Sequence, residues 1–131
     1  MLGRQKLAVF LTDATRPAIE VSEAELGFSV GANLVAHSTG GQANATPIVF
    51  TLSEFTSVAA DNDSAVLPPA MAGMLLLIAN ASQQSKSLNV FPASGESING
   101  GSADAPFALA SAKRALFFCI QNGNWYSLVT A

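Results

Sequence analysis

Residues 115–129 read ALFFCIQNGNWYSLV, and this stretch decides the fold class. Two apolar segments, Ala115–Ile120 and Trp125–Val129, flank Gln121-Asn122-Gly123-Asn124. Asn-Gly suits the two central positions of a type I′ turn, because both must take positive φ and these residues tolerate it best. The flanks are aromatic and aliphatic, as paired and buried strands prefer. The pattern predicts a terminal β-hairpin closed by a type I′ turn. Along the second strand, alternation sends Trp125 and Tyr126 to opposite faces. At least one ring therefore belongs in a core, which weighs against an exposed pair that stacks on a sugar or a base.

Working back from the hairpin, the same texture continues. Residues 47–52, 57–60, 64–67, 73–80, 87–91 and 105–109 read as short strands, separated by Asp61-Asn62-Asp63, Pro68-Pro69, residues 81–86 and 92–95, and Asn99-Gly100-Gly101. Strands at spacings near ten residues predict an all-β domain, a small jelly-roll-like sandwich or barrel. Met74-Leu75-Leu76-Leu77-Ile78 is apolar on both pleat faces. Such a strand must be covered on both sides, within the body or at a subunit interface. Leu76, Ile78, Val90, Phe118 and Trp125 are the candidate core or interface residues.

The amino-terminal part is different. Residues 5–12 suit a strand, Thr15-Arg16-Pro17 breaks it, and residues 17–25 stay open between a capped helix and a strand. Extended structure is expected from Gly27 onward. Residues 36–46 are small and polar and read as a loop or hinge. The organisation expected is an extended N-terminal arm, residues 1–30, and a compact β domain, residues 31–131.

Composition sharpens this division. Half of the 131 residues are hydrophobic and only 11% are charged, against roughly 25% in an ordinary soluble domain. Residues 1–25 hold seven of the charges (Arg4, Lys6, Asp13, Arg16, Glu20, Glu23 and Glu25), and the remaining 106 residues hold eight. A monomer so poor in charge is weakly protected against association, so the surface is expected to be covered by identical copies or by a larger assembly. The alternative is a monomer whose surface is Ser, Asn, Thr and Gln. Net charge −3 argues against nucleic acid, which needs clustered Lys and Arg. No cationic start precedes an unbroken apolar run, so no signal peptide is read, and Met71–Ala81 is about half the length of a membrane span. A soluble protein made in a reducing cytoplasm is expected.

Chemical motifs are sparse. Cys119, the single cysteine, lies in an apolar run and reads as a small buried hydrophobe. His37 is the single histidine, with no His pair, His-x-x-His or close carboxylate couple beside it. Asp61-Asn62-Asp63-Ser64 begins like a calcium loop, but Val66 and Ala72 stand where the turn glycine and closing acid are required. Gly40-Gly41 and Gly100-Gly101 lack the Lys-Ser/Thr of a phosphate loop. Asn80-Ala81-Ser82 matches a glycosylation sequon without a secretory signal to support its use. No enzyme, metal or cofactor is expected. A small hydrolase would need a cleft bringing His37 to carboxylates.

One ordered series stands out: Asp63-Ser64-Ala65-Val66-Leu67-Pro68, Ala72-Gly73 with Ile78-Ala79-Asn80, Asn89-Val90-Phe91-Pro92-Ala93-Ser94-Gly95-Glu96-Ser97-Ile98-Asn99, then Phe117-Phe118-Cys119 and Asn124-Trp125-Tyr126. Over about residues 45–131 it resembles a small β module widespread in tailed-bacteriophage virion proteins, where it occurs in capsid decoration (cement) proteins, head fibres and distal parts of tail fibres. The resemblance implies a non-enzymatic, trimeric structural protein of the virion. The short chain favours a standalone decoration protein over a fibre. Its expected partners are the major capsid protein and itself, its place the capsid exterior after synthesis in the bacterial host cytoplasm, with no nucleic acid or membrane bound. Arg4, Lys6, Phe10 and Arg16 in the arm are the candidate capsid contacts. The alternative is a receptor- or glycan-binding module of a head or tail fibre, which predicts exposed aromatics on loops.

Overall fold

The computed structural model describes residues 28–38 and 41–131. The strand expected at 5–12, the open segment 17–25 and the candidate contacts Arg4, Lys6, Phe10 and Arg16 lie outside the described residues. Among the described residues the fold is all-β, with one helical turn. Ten strands follow in chain order: β1 Val30–Val35, β2 Thr46–Pro47, β3 Leu52–Ser57, β4 Ser64–Val66, β5 Leu75–Asn80, β6 Leu88–Phe91, β7 Ser97–Ile98, β8 Phe107–Leu109, β9 Arg114–Gln121 and β10 Asn124–Val129. The helical turn, α1, is Gly41–Asn44. A six-stranded sheet has the order β1-β3-β5-β9-β10-β7, and a four-stranded sheet the order β2-β4-β6-β8.

Two sheets are present, but the jelly-roll-like reading is corrected by their topology. From β1 to β6 successive strands alternate between the sheets. β1, β3 and β5 run parallel in one, and β2, β4 and β6 run parallel in the other. Val30 aligns with Leu52 and Leu52 with Leu77, while Thr46 aligns with Ala65 and Ala65 with Val90. This is a short solenoid, each turn stacking on the last. The C-terminal part closes it with antiparallel strands: β8 on β6, β9 on β5, and β10 on β9. Neighbouring strands of a jelly roll run antiparallel; here β1, β3 and β5, and β2, β4 and β6, run parallel.

Small polar side chains make these crossings. Asp63 is buried, and its Oδ2 accepts the N–H groups of Ala59 and Ala60 at 2.8 and 3.0 Å. Those amides are bent into the corner, so the strand expected at 57–60 lies instead at Leu52–Ser57. The strand expected at 47–52 shrinks to Thr46–Pro47, and residues 48–51 carry the chain between sheets. Asn80 builds the next corner through its bonds to Ser82, Lys86 and Leu109. On either side of residues 39–40 the described chain packs into the body. Ala36 and Ala45 are buried, and His37 and Ser64 exchange main-chain hydrogen bonds at 3.0 and 2.8 Å.

The core fills the space between the sheets. Phe55, Ile78, Phe117 and Trp125 project from the larger sheet and Ala65, Leu88, Val90 and Leu109 from the smaller, all fully buried. Phe107 meets Phe117 edge to face, with centroids 5.6 Å apart, the preferred aromatic geometry.

The hairpin forms where expected, with a different turn. Gly123 has φ 86°, but Asn122 is absent from the positive-φ residues, so the turn is not type I′. The ladder slips by one residue between Asn124 and Trp125, as when a positive-φ glycine bulges the strand end. The cause is tertiary. Asn122 Oδ1 accepts the N–H of Ala72 at 2.8 Å, and the N–H of Gly123 donates to the carbonyl of Ala70 at 3.0 Å. The tip is docked on the loop between β4 and β5.

Candidate assembly surface

Registration of the strands determines what the outer face of the larger sheet presents. On β5, Leu76 and Ile78 point into the core while Leu75, Leu77 and Ala79 point outward. On β9, Ala115, Phe117 and Cys119 point inward while Leu116, Phe118 and Ile120 point outward. Pairing then lines up Val30, Leu52, Leu77, Leu116 and Leu128 in one row across five strands. The neighbouring row carries Leu75, Phe118 and Tyr126. Phe118 and Tyr126 stack with centroids 5.8 Å apart and planes 25° apart. Val30, Leu75, Ile120 and Leu128 are exposed, Ile120 by 70% and Leu128 by 63%. An open groove follows the longer row, lined by Leu77, Arg114, Leu116, Leu128 and Thr130. Contiguous exposed apolar side chains of this kind make the face the candidate contact surface.

A third row holds charge. Glu54 pairs with Ala79, and Ala79 with Arg114, so one acid and one base flank the apolar field on opposite sides of β5. Most other carboxylates of the described residues are tied to the fold. Asp61 accepts the N–H of Ser87 at 3.1 Å and meets Lys86 Nζ at 3.4 Å. These contacts, the Ser87 N–H first, hold its carboxyl below the ordinary value. Asp104 accepts the N–H of Gly95 at 2.7 Å and Gln42 Nε2 at 2.9 Å, and is lowered in the same way, by Gly95 first. Glu96 accepts the N–H of Ala70 at 2.9 Å.

The sequence-derived residues divide accordingly. Leu76, Ile78, Val90 and Trp125 lie in the core. Phe118 lies on the outer face, half-buried against Tyr126. Trp125 is fully buried. Asn80 of the sequon is fully buried and hydrogen-bonded. Cys119 faces the core, its Sγ 3.1 Å from the carbonyl of Gln121. Among the described residues no three His, Cys, Asp or Glu side chains gather as a metal site, and no helix is long and apolar enough to cross a membrane. Glu54, Arg114, Leu52, Leu77, Leu116 and Leu128 were not singled out from the sequence. The signal available was the two-sided apolar character of residues 74–78 and 115–120. Comparison with protein-family models, with curated proteins and with solved structures finds no match to this chain.

Proposed function

We propose that this chain is a structural virion protein of a tailed bacteriophage: a homotrimeric decoration protein on the capsid exterior that clamps neighbouring major capsid subunits. The observation that carries the reading is the outer face of the larger sheet, where two rows of apolar side chains cross a body with few charged residues. Low-charge apolar surfaces suit permanent interfaces more than transient ones. A trimer at a local three-fold of the shell matches its symmetry to its site. Each copy then touches several capsid subunits, and separating them requires all contacts to break together, which is avidity and involves no catalysis. Residues 1–30, with Arg4, Lys6, Phe10 and Arg16, are the segment proposed to reach the capsid. A glycan-binding fibre module is the weaker reading, because the tryptophan is fully buried and the tyrosine is half-buried against Phe118.

Mass spectrometry of purified virions, calibrated against the major capsid protein, tests this directly. Copy numbers comparable to that protein, with deletion lowering the temperature at which heads burst, are expected. A handful of copies per particle, with glycan binding and unchanged heads on deletion, would overturn it.

A further inference from the structure

The charges beside the apolar face bear on what would cover it. Glu54 makes no hydrogen bond and no ion pair among the described residues, and Arg114 has only the carbonyl of Ala112, 3.3 Å from its Nη1. Both are exposed. They occupy one row, one strand to either side of Ala79, and they do not pair with each other. The face therefore carries an acid on β3 and a base on β9, with Ala79 between them and the row of Leu52, Leu77 and Leu116 alongside. A foreign partner would have to supply both matching charges. A second copy of this chain already has them in the required order.

We infer that copies of this chain meet through the outer face of the larger sheet, with β5 toward their common axis and Glu54 of each copy against the partner's Arg114. Leu77 is third of five residues in its row, so an axis at β5 lays the Leu52 side of one copy on the Leu116 side of the next. Such a contact is heterologous: each copy offers its Glu54 to one neighbour and its Arg114 to the other, which closes into a ring when the rotation fits. Leucine contacts supply the attraction, while the charge pair fixes the register and rejects the reversed arrangement. The inference rests on the trimeric reading above and names the surface it uses.

A charge exchange tests it. Glu54→Arg, Arg114→Glu and the double variant would be made in the full chain, and their assembly measured by sedimentation equilibrium at low ionic strength, where screening is weak. Each single change sets like charges together, and should weaken assembly roughly tenfold or more while leaving the melting transition of the folded chain in place. The double variant should recover most of the wild-type strength. Single variants that assemble like wild type, or a double variant no stronger than the singles, would overturn the inference; so would a wild-type chain that stays monomeric. Binding to heads lacking the protein, read by co-sedimentation, separates this from the function. A trimer that binds heads but ignores the exchange sinks only the inference. A trimer that obeys the exchange but does not bind heads sinks only the decoration role.

Discussion

The side-chain amide of Asn80, on β5 of the larger sheet, donates to the main-chain carbonyl of Leu109, on β8 of the smaller, at 2.9 Å. The same Nδ2 donates to the carbonyl of Lys86 at 2.9 Å, while Oδ1 accepts the hydroxyl of Ser82 at 2.8 Å and its N–H at 3.3 Å. One fully buried amide thus ties the two sheets together and turns the corner between them. Replacing it strands several buried polar groups, each costing about 1–3 kcal/mol. Asn80→Ala should therefore lose about 3 kcal/mol in urea denaturation. A loss below about 0.5 kcal/mol, the scale of an ordinary surface change, would show that the amide is replaceable.

Gly123 separates a conformational cost from a packing cost. Its φ is 86°, and a Cβ built there meets no atom within 4 Å. Gly123→Val should lose about 1–2 kcal/mol through backbone strain alone. Gly123→Asn should lose less, since asparagine tolerates the left-handed region. Equal melting temperatures for both variants and the wild type would contradict the strain.

Leu76 and Leu77 are adjacent in sequence and face opposite sides of the sheet. Leu76→Asp places an unpaired charge in the core and should abolish folding, seen as loss of the β circular-dichroism signal. Leu77→Asp should leave that signal intact and abolish self-association, seen as a monomer in sedimentation. Two variants with the same phenotype would mean that both faces are buried within one chain, or that neither is.

Acid should act through Asp61 and Asp104. Both folded-state pKa values lie below the ordinary value of 3.8, because the N–H groups of Ser87 and Gly95 respectively favour the charged form. A depressed carboxylate contributes stability in full above its unfolded value, and the contribution disappears as pH falls through the folded one. Stability should therefore be insensitive to these groups from neutral pH down to about 4, then fall as the pH drops further. Asp104→Asn should flatten that acid limb, and an unchanged pH profile would count against the Gly95 bond.

The terminal hairpin and the all-β class were legible because the relevant patterns are local: β-branched and aromatic runs on either side of Asn-Gly. The turn type was not, because Asn122 is held by Ala72, fifty residues away. Solenoid topology was missed for a similar reason. Short strands every ten residues look alike whether the chain reverses or crosses over. The cue was a proline at or just past the end of each parallel strand of the smaller sheet, at Pro47, Pro68 and Pro92, with Ser64-Ala65-Val66 in register with Asn89-Val90-Phe91. The two-sided apolar run at 74–78 left both the body and a subunit interface open, and the shared row of Glu54 and Arg114 did not show. Their common row exists only once β3, β5 and β9 are in register.

The mass of the full chain in solution tests self-association most directly. Sedimentation equilibrium or light scattering at micromolar concentration should give three times the 13.4 kDa chain mass, with a monomer appearing when Leu77 is replaced by Asp. A wild-type chain that remains a stable, soluble monomer at every concentration would contradict assembly through this face.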